Sequence, residues 1–358
     1  MAVPSRGAML EVGAVSSRRT VSEGRATAAF RATRKLLALP VVAVAAGCGA
    51  ATGNGAPAPP VSPSPAVAPE AGEPIHEAAW TLYDHEGRNA ALEALVEAAA
   101  SVDVLFVGER HGDPGGHRFQ AELLQALLDH HGQRVILSLE MFERDVQPVV
   151  DEYLAGLITE DHFLGAARPW PSYRRDYRPM VEMAREREIP VVAANAPRRY
   201  VNRVSRLGPS ALSDLPSSAL EHLPPLPYPG PSDAYRAEWN ALMAEMAGAH
   251  GGHPSARAMG DAALQAQALW DASMAHSIAG ALAGASQGSL VLHVTGGFHV
   301  DNGTGTPEAL EHYRPGTQRL IVMIRPVQDP ETPPSADLRG GADFVVLTEA
   351  PAPTPRPQ

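Results

Sequence analysis

Residues 102–117, VDVLFVGERHGDPGGH, decide the fold of this chain. The run 102–107 is rich in apolar and β-branched side chains and is followed by Gly108, which predicts a strand buried on both faces. Such a strand is typical of a parallel sheet that is covered by helices. The stretch therefore predicts a central strand of an α/β domain.

Polar residues begin where this strand is predicted to stop, namely Glu109, His111, Asp113 and His117. Pro114 and two glycines then lead into an amphipathic helix that we predict over residues 118–130. In an open parallel sheet, ligands lie in the crevice at the carboxyl ends of the strands. The stretch thus predicts a carboxylate and imidazoles at a ligand-binding edge.

Strand and helix patterns alternate through the rest of the chain. Further strands are predicted over residues 134–139, 191–194, 290–295, 319–325 and 344–347, and further helices over 90–100, 146–155, 173–188, 234–249 and 257–283. Strands joined by helix-length connections imply parallel pairing. We predict an α/β fold with a mainly parallel sheet flanked by helices, formed by residues 75–204 and 250–350, and a small all-helical insertion over 205–249.

The two ends of the chain differ in composition from this body. A basic segment, a short apolar stretch and small residues precede Cys48, the single cysteine, which predicts a secretory signal peptide over residues 1–47. The arrangement resembles the lipobox of bacterial lipoproteins, in which the cysteine is lipidated. Residues 48–74 are rich in Pro and Ala and predict a disordered tether, and residues 351–358 predict a disordered tail. We expect a lipid-anchored protein of the bacterial cell envelope, at the outer membrane.

The net charge of the chain indicates which classes of partner are expected. It is −11, and the first 35 residues carry seven basic and two acidic side chains, so the rest of the chain is acidic with a net charge of −16. Binding to nucleic acid needs a basic surface that displaces counterions from phosphates. The composition therefore excludes nucleic acid as an expected partner.

Several predicted strands end in groups that bind ligands or transfer protons. They are Glu109 and His111 after the first strand, Glu140 after the second, Asn195 after the third and His299 after the fourth. Parallel strands present these ends on one edge, so we expect the side chains to meet in one pocket. His293 falls inside a strand and is predicted to be a hydrogen-bonded core histidine. Asp271 and Gln267 lie one helical turn apart and are predicted to support the strand-end histidines.

Five motifs together resemble a known family. They are Gly108-Glu109-x-His111 with His117 and Gln120, Glu140-Met141-Phe142, IPVVAANAP over residues 189–197, Trp270-Asp271-x-x-Met274-Ala275, and Gly296-Gly297-Phe298-His299 with Gly303 and Pro307. In this order they resemble the ChaN-like haem-binding uptake lipoproteins, a branch of the superfamily that also contains the Tiki proteases and the erythromycin esterases. The resemblance covers residues 75–347.

The resemblance implies a membrane-tethered protein that binds haem between the subunits of a homodimer, with tyrosine and histidine near the iron. The tyrosine candidates are Tyr173 and Tyr177, and Arg174 beside them is a candidate partner for the haem propionates. The histidine candidates for haem contact are His111, His117 and His299. An alternative interpretation of the two tyrosines is that they are packing residues at the start of a helix.

The other branches of the superfamily imply a different function. Their activity uses a histidine with glutamates, and Glu109, His111, Glu140 and His299 stand in similar places. Two histidines and two carboxylates suit a divalent metal such as zinc, manganese or iron, and a carboxylate-activated histidine is a competent base without metal. The alternative prediction is therefore a metal- or histidine-dependent hydrolase of the esterase or peptidase type.

Overall fold

A seven-stranded sheet organises the computed structural model, which describes residues 79–250 and 256–350. The strands are β1 (Trp80–Asp84), β2 (Val104–Glu109), β3 (Val135–Glu143), β4 (Val191–Asn195), β5 (Leu290–Gly296), β6 (Arg319–Val327) and β7 (Phe344–Glu349). Their order is β1-β7-β6-β2-β5-β3-β4, and every pair is parallel except β1 with β7. The predicted α/β class with a mainly parallel sheet is confirmed.

Helices cover both faces of this sheet. They are α1 (Leu92–Ala99), α2 (Pro114–His131), α3 (Gln147–Leu154), α4 (Glu160–Ala167), α5 (Tyr173–Asp176), α6 (Arg178–Glu186), α7 (Arg198–Leu207), α8 (Ser217–Leu220), α9 (Asp233–His250), α10 (Ala256–Gly284), α11 (Thr306–Tyr313) and α12 (Ala336–Arg339). No helix within the described ranges is both long and apolar enough to cross a bilayer.

Alternate side chains of β2 enter two different cores. Leu105 and Val107 belong to the core that includes α2, whereas Phe106 belongs to the core that includes α10. Successive residues of a strand point to opposite faces of the sheet, and all of β2 is buried. The apolar composition of this strand is thus explained by its position between β5 and β6 with helices on both sides.

The structure differs from the predicted elements at particular places. The central strand begins at Val104, two residues later than predicted, and the preceding Asp103 accepts from the Gln318 N–H through Oδ2 at 2.9 Å. The helix predicted over residues 173–188 is broken at Tyr177 into α5 and α6. The antiparallel edge strand β1 was not predicted, since it is short and begins next to the predicted tether.

The predicted domain boundaries are not tested by these elements. Helical turns at Pro209–Asp214, α8 and α9 occupy the range predicted as a helical insertion over 205–249. The predicted signal peptide, the tether with Cys48 and the tail all lie outside the described residues. These boundaries therefore stay predictions.

Gly108 lets three chain segments approach closely just before the polar strand end. A Cβ at this position would lie 2.6 Å from Val300 Cγ2 and 2.7 Å from Met323 Sδ. We expect Gly108→Ala to lower the free energy of unfolding by about 1–3 kcal/mol through overpacking, measured by urea denaturation. Gly165 in α4 has open space around its Cβ position, so Gly165→Ala is the matched control and should stabilise by about 0.5–1 kcal/mol. Equal stabilities for both variants would contradict the packing argument.

Candidate functional site

A cavity of about 1060 Å³ opens at the carboxyl edge of the sheet. Its lining includes the side chains that were predicted to meet there, namely Glu109, His111, Glu140, Asn195 and His299. The parallel strands β2, β3, β4 and β5 end at this edge, which explains why residues so distant in sequence share one cavity. Walls from α9 and α10 complete the cavity, with Leu242 and Trp270 among them.

Glu109 and His111 form a tightly bonded pair at the end of β2. The Nδ1 of His111 lies 2.7 Å from Glu109 Oε1, and Glu109 also accepts from Tyr177 Oη at 2.5 Å and from Gln120 Nε2 at 2.5 Å. Burial alone would lower the pKa of His111, but the hydrogen bond to Glu109 and the charge of Glu140 outweigh it and raise that pKa. The carboxylate therefore fixes the imidazole with its Nδ1–H as donor.

His299 belongs to a second buried group. Its Nδ1 lies 2.7 Å from Asp271 Oδ1, its Nε2 lies 3.1 Å from Gln267 Nε2 and 3.8 Å from Glu140 Oε1. A protonated His299 needs an acceptor at Nε2, which Gln267 supplies when its amide oxygen faces the ring. The structure thus contains the support of His299 by Asp271 and Gln267 that the sequence predicts.

Charge holds this group together. Burial alone would lower the pKa of His299, but the carboxylates of Asp271 and Glu140 raise it to about 9. Burial likewise opposes the charged form of Glu140, yet the charge of His299 and the Gly296 N–H lower the pKa of that carboxyl. The Gly296 N–H donates to Glu140 Oε2 at 2.7 Å. His299 is therefore an imidazolium between two carboxylates at neutral pH.

The raised pKa of His299 makes folding stability depend on pH. A folded-state pKa of about 9 against an ordinary value of 6.5 gives a contribution that is complete below about pH 6.5 and is lost as pH rises through about 9. We expect the free energy of unfolding to fall by up to about 3 kcal/mol between pH 7 and pH 10, measured by urea denaturation. His299→Gln is the control and should show a flatter profile. The same slope in both proteins would contradict this assignment.

His117 lies behind Glu109 and does not line the cavity. It is buried, its Nδ1 lies 3.1 Å from Gln120 Oε1, and its Nε2 accepts from the Gly112 N–H at 3.2 Å. Both ring nitrogens are therefore used inside the protein. The structure thus places His117 behind Glu109, and its predicted contact with a cofactor stays a prediction.

The predicted tyrosines do not line the cavity either. Tyr173 is buried in the core, where its ring packs against Phe142 and Phe163, and burial raises the pKa of its hydroxyl. Burial also raises the pKa of Tyr177, whose hydroxyl donates to Glu109. The structure thus places Tyr173 in the core and Tyr177 beside Glu109, and their predicted contact with haem stays a prediction.

Arg174 also lies outside the cavity. Its guanidinium is exposed and lies 3.6 Å from Glu160 and 3.7 Å from Asp161. It is not among the cavity-lining residues. Arg174, which was predicted to bind the propionates, therefore lies beside two carboxylates on the surface.

Three other arginines line the cavity and were missed by sequence reasoning, and one of them, Arg325, is paired with Asp301. Arg110 lies between Glu109 and His111, and Arg198 follows the end of β4. Neither side chain has an ion-pair partner among the residues that the structure describes. Their positions directly after strands that end at the predicted edge could have identified them.

The predicted divalent-metal centre is not supported. Within the described ranges, no group of three or more His, Cys, Asp or Glu side chains is arranged to hold a metal ion. The oxygens of Glu109 and Glu140 are used by neighbouring hydrogen-bond donors, and Asp271 bonds to Nδ1 of His299. The four residues named for a metal thus bond within the protein.

The fold defines a class of protein, an α/β domain with a cavity at the carboxyl edge of a mainly parallel sheet. The chain belongs to the family described as haem-binding uptake, Tiki superfamily, ChaN, whose model matches residues 95–310. The predicted family is thereby confirmed, and haem is the ligand that this family is named for.

Comparison with the solved structure of a ChaN protein gives the same fold. ChaN of Campylobacter jejuni, described with cofacial haem binding, aligns with a TM-score of 0.56 and 16% identity over 76% of this chain and 97% of that chain. A mutant of the erythromycin esterase EreC in its open conformation aligns with a TM-score of 0.38 and 11% identity over 76% of this chain and 83% of that chain. No curated protein matches the sequence.

Proposed function

We propose that this protein binds haem in the cavity at the carboxyl edge of the sheet, with His111 as the iron ligand. One observation carries the assignment: His111 lines the cavity, its Nδ1 is bonded to Glu109, and no hydrogen bond within the described residues engages its Nε2. A histidine that ligates a metal commonly donates its other N–H to a carboxylate, which fixes the ring. Haem would supply the iron that the protein captures, and no chemical step is required.

The cavity walls fit a flat apolar ring system. Trp170 lies edge-on to His111 with 4.8 Å between ring centroids, and Trp270 lies edge-on to His299 at 6.3 Å. Phe298 and Ile324 add further apolar surface to the lining. Pockets for cofactors combine such walls with a few fixed polar groups.

The unpaired arginines fit the propionates. The carboxylates that line the cavity are bonded to other groups, as Glu143 is to Arg168 and Asp301 is to Arg325. Arg110 and Arg198 are left as unpaired positive charges at the same cavity. Planar guanidinium groups bind carboxylates through paired hydrogen bonds. We therefore assign propionate binding to Arg110 and Arg198 instead of Arg174.

A hemin titration followed at the Soret band tests both assignments. The native protein should bind hemin saturably, and Arg110→Gln or Arg198→Gln should each weaken binding about tenfold, since a charged hydrogen bond contributes about 1.5–3 kcal/mol. Arg174→Gln is the matched control and should bind like the native protein. No saturable binding would remove the haem proposal. An equal loss in all three variants would remove the propionate assignment alone.

A homodimer is proposed as the haem-loaded state. Support comes from the described relative, whose haem binding is cofacial, and from the opening of the cavity on the surface at Arg110. We expect sedimentation velocity to show a dimer after hemin is added. A monomer that retains full hemin binding would contradict this part of the proposal.

Membrane anchoring through Cys48 is also proposed, at the bacterial cell envelope and in the outer membrane. Support comes from the basic, apolar and small-residue segments that precede Cys48. Expression of the full chain with Cys48→Ser as control tests it by detergent-phase partition and mass spectrometry. A native protein that lacks lipid mass at Cys48 would contradict the anchor.

One observation favours the alternative that the protein is a hydrolase. A histidine held by a carboxylate, as His111 is by Glu109 at 2.7 Å, has the arrangement of a general base. If the protein fails to bind hemin but hydrolyses aryl esters, and Glu109→Gln abolishes that turnover, this second function replaces the first.

A further inference from the structure

A separate cavity lies beside the edge strand β4. It has a volume of about 260 Å³ and shares no lining residue with the larger cavity at the carboxyl edge of the sheet. Its lining residues are Arg144, Gln147, Val192, Ala193, Glu221, His276, Ser277 and Gly280. The polar ones come from the turn after β3, from α3, from the residue that follows α8 and from α10, so separate parts of the chain build the site.

Arg144 is a partly buried cation without a carboxylate partner. A hydrogen bond joins its Nη1 to His276 Nδ1 at 3.1 Å, and no ion pair within the described ranges includes Arg144. Burial lowers the pKa of Arg144, and the group that acts on its charge is the phenol of Tyr313. Glu221 lines the same cavity but forms no ion pair with it. A buried charge is normally paired, so this guanidinium lacks its counterion.

His276 adds a second donor. Because Nδ1 accepts from Arg144, the neutral ring carries its proton on Nε2. Burial and the charge of Arg144 lower the pKa of His276, which keeps the ring neutral. His276 therefore presents an N–H donor from the same cavity wall.

The other side-chain donors of the cavity, those of Gln147 and Ser277, are already engaged. Gln147 bonds to the outer edge of β4, with Nε2 donating to Val191 O at 2.8 Å and Oε1 accepting from the Ala193 N–H at 2.7 Å. The Ser277 hydroxyl donates to backbone carbonyls at Ala194 or Ser273. The donors left for a ligand are thus Arg144 and His276, and both favour an acceptor that carries negative charge.

We propose that this cavity binds a small oxyanion of the phosphate or carboxylate class, held by the guanidinium of Arg144 and by the Nε2–H of His276. The planar fork of arginine matches the paired oxygens of such anions. The cavity volume is slightly below that of pockets for drug-sized ligands, which favours an inorganic anion or a short carboxylate. This site lies beyond the proposed haem function and does not depend on it.

Titration of the hemin-free protein with sodium phosphate, and separately with sodium acetate, tests the site against sodium chloride at matched ionic strength. We expect a saturable rise in Tm with at least one oxyanion and none with chloride, and isothermal titration calorimetry should give a matching Kd. The arm that saturates at lower concentration identifies whether phosphate or carboxylate is the preferred class.

Variants decide which residues carry the effect. Arg144→Gln should weaken oxyanion binding at least tenfold, while Arg187→Gln, which removes a surface arginine paired with Asp129, should leave it unchanged. His276→Ala should also weaken binding and serves if Arg144→Gln fails to fold. Glu221→Gln, which removes the carboxylate that shares the cavity, should bind as tightly as the native protein or more tightly. Native-like binding in both Arg144→Gln and His276→Ala, or a response as large with chloride, would overturn the proposal.

Discussion

His111→Ala is expected to weaken hemin binding more than 100-fold and to remove the Soret shift of the native complex. Loss of a residue that only supports a metal ligand costs about 10–100-fold in affinity, and loss of the ligand itself should exceed that. In this chain His111 lines the cavity with its Nε2 unengaged, while His299 is buried between Asp271 and Glu140. The measurement is a hemin titration by absorbance at fixed pH.

Two controls distinguish ligation from general damage. His85→Ala removes an exposed histidine outside the cavity and should bind hemin like the native protein. Glu109→Gln keeps an acceptor for the ring but removes the charge, so it should bind about 10–100-fold more weakly with a Soret band that still shifts. If His111→Ala retains native affinity and spectrum, another residue binds the iron and the assignment of His111 fails.

Asp271→Ala is expected to lower the free energy of unfolding by about 3–5 kcal/mol, because it leaves a buried imidazolium without its nearest carboxylate. Asp271 accepts from His299 Nδ1 at 2.7 Å, from Tyr235 Oη at 2.6 Å and from Thr306 Oγ1 at 3.0 Å. Asp271→Ala therefore removes three hydrogen bonds that one buried carboxylate accepts. Urea denaturation at pH 7 measures the loss.

The same helix supplies a matched control. Asp261 in α10 pairs with Arg236 at 2.6 Å on the surface, and Asp261→Ala should cost no more than about 1 kcal/mol, as exposed ion pairs do. Asp271→Asn preserves an acceptor of the same shape and should fall between the two. A loss for Asp271→Ala no larger than that for Asp261→Ala would show that His299 does not need this carboxylate.

The sequence predicted the meeting of distant side chains because strand direction alone determines it. Glu109 ends β2, Glu140 lies in the last part of β3 and His299 follows β5, so their convergence required only the order of strands and helices. His293 was predicted as a core histidine because it lies within β5. It is buried with Ser138 Oγ 2.9 Å from its Nδ1, and burial lowers its pKa to about 3.

The positions of Tyr173, Tyr177 and Arg174 depend on packing that a local sequence pattern does not contain. Tyr173 and Tyr177 follow Trp170 at helical spacing, which is compatible with either a cavity wall or a core face. Only the break between α5 and α6, with Tyr177 reaching Glu109, shows that both face inward. Arg174 and Arg110 are equally basic in the sequence, and their ion-pair partners decide which one remains free for a ligand.

The amide of Gln147 has a consequence for the protein in a crowded compartment. An outer strand of a sheet offers unsatisfied peptide groups to which another polypeptide can attach, and this is a common start of aggregation. The side-chain amide of Gln147 bonds to Val191 O and to the Ala193 N–H, as a peptide group of a neighbouring strand would. It thus satisfies part of the exposed edge of β4. The domain thereby protects its outermost strand from non-native strand addition without an additional strand.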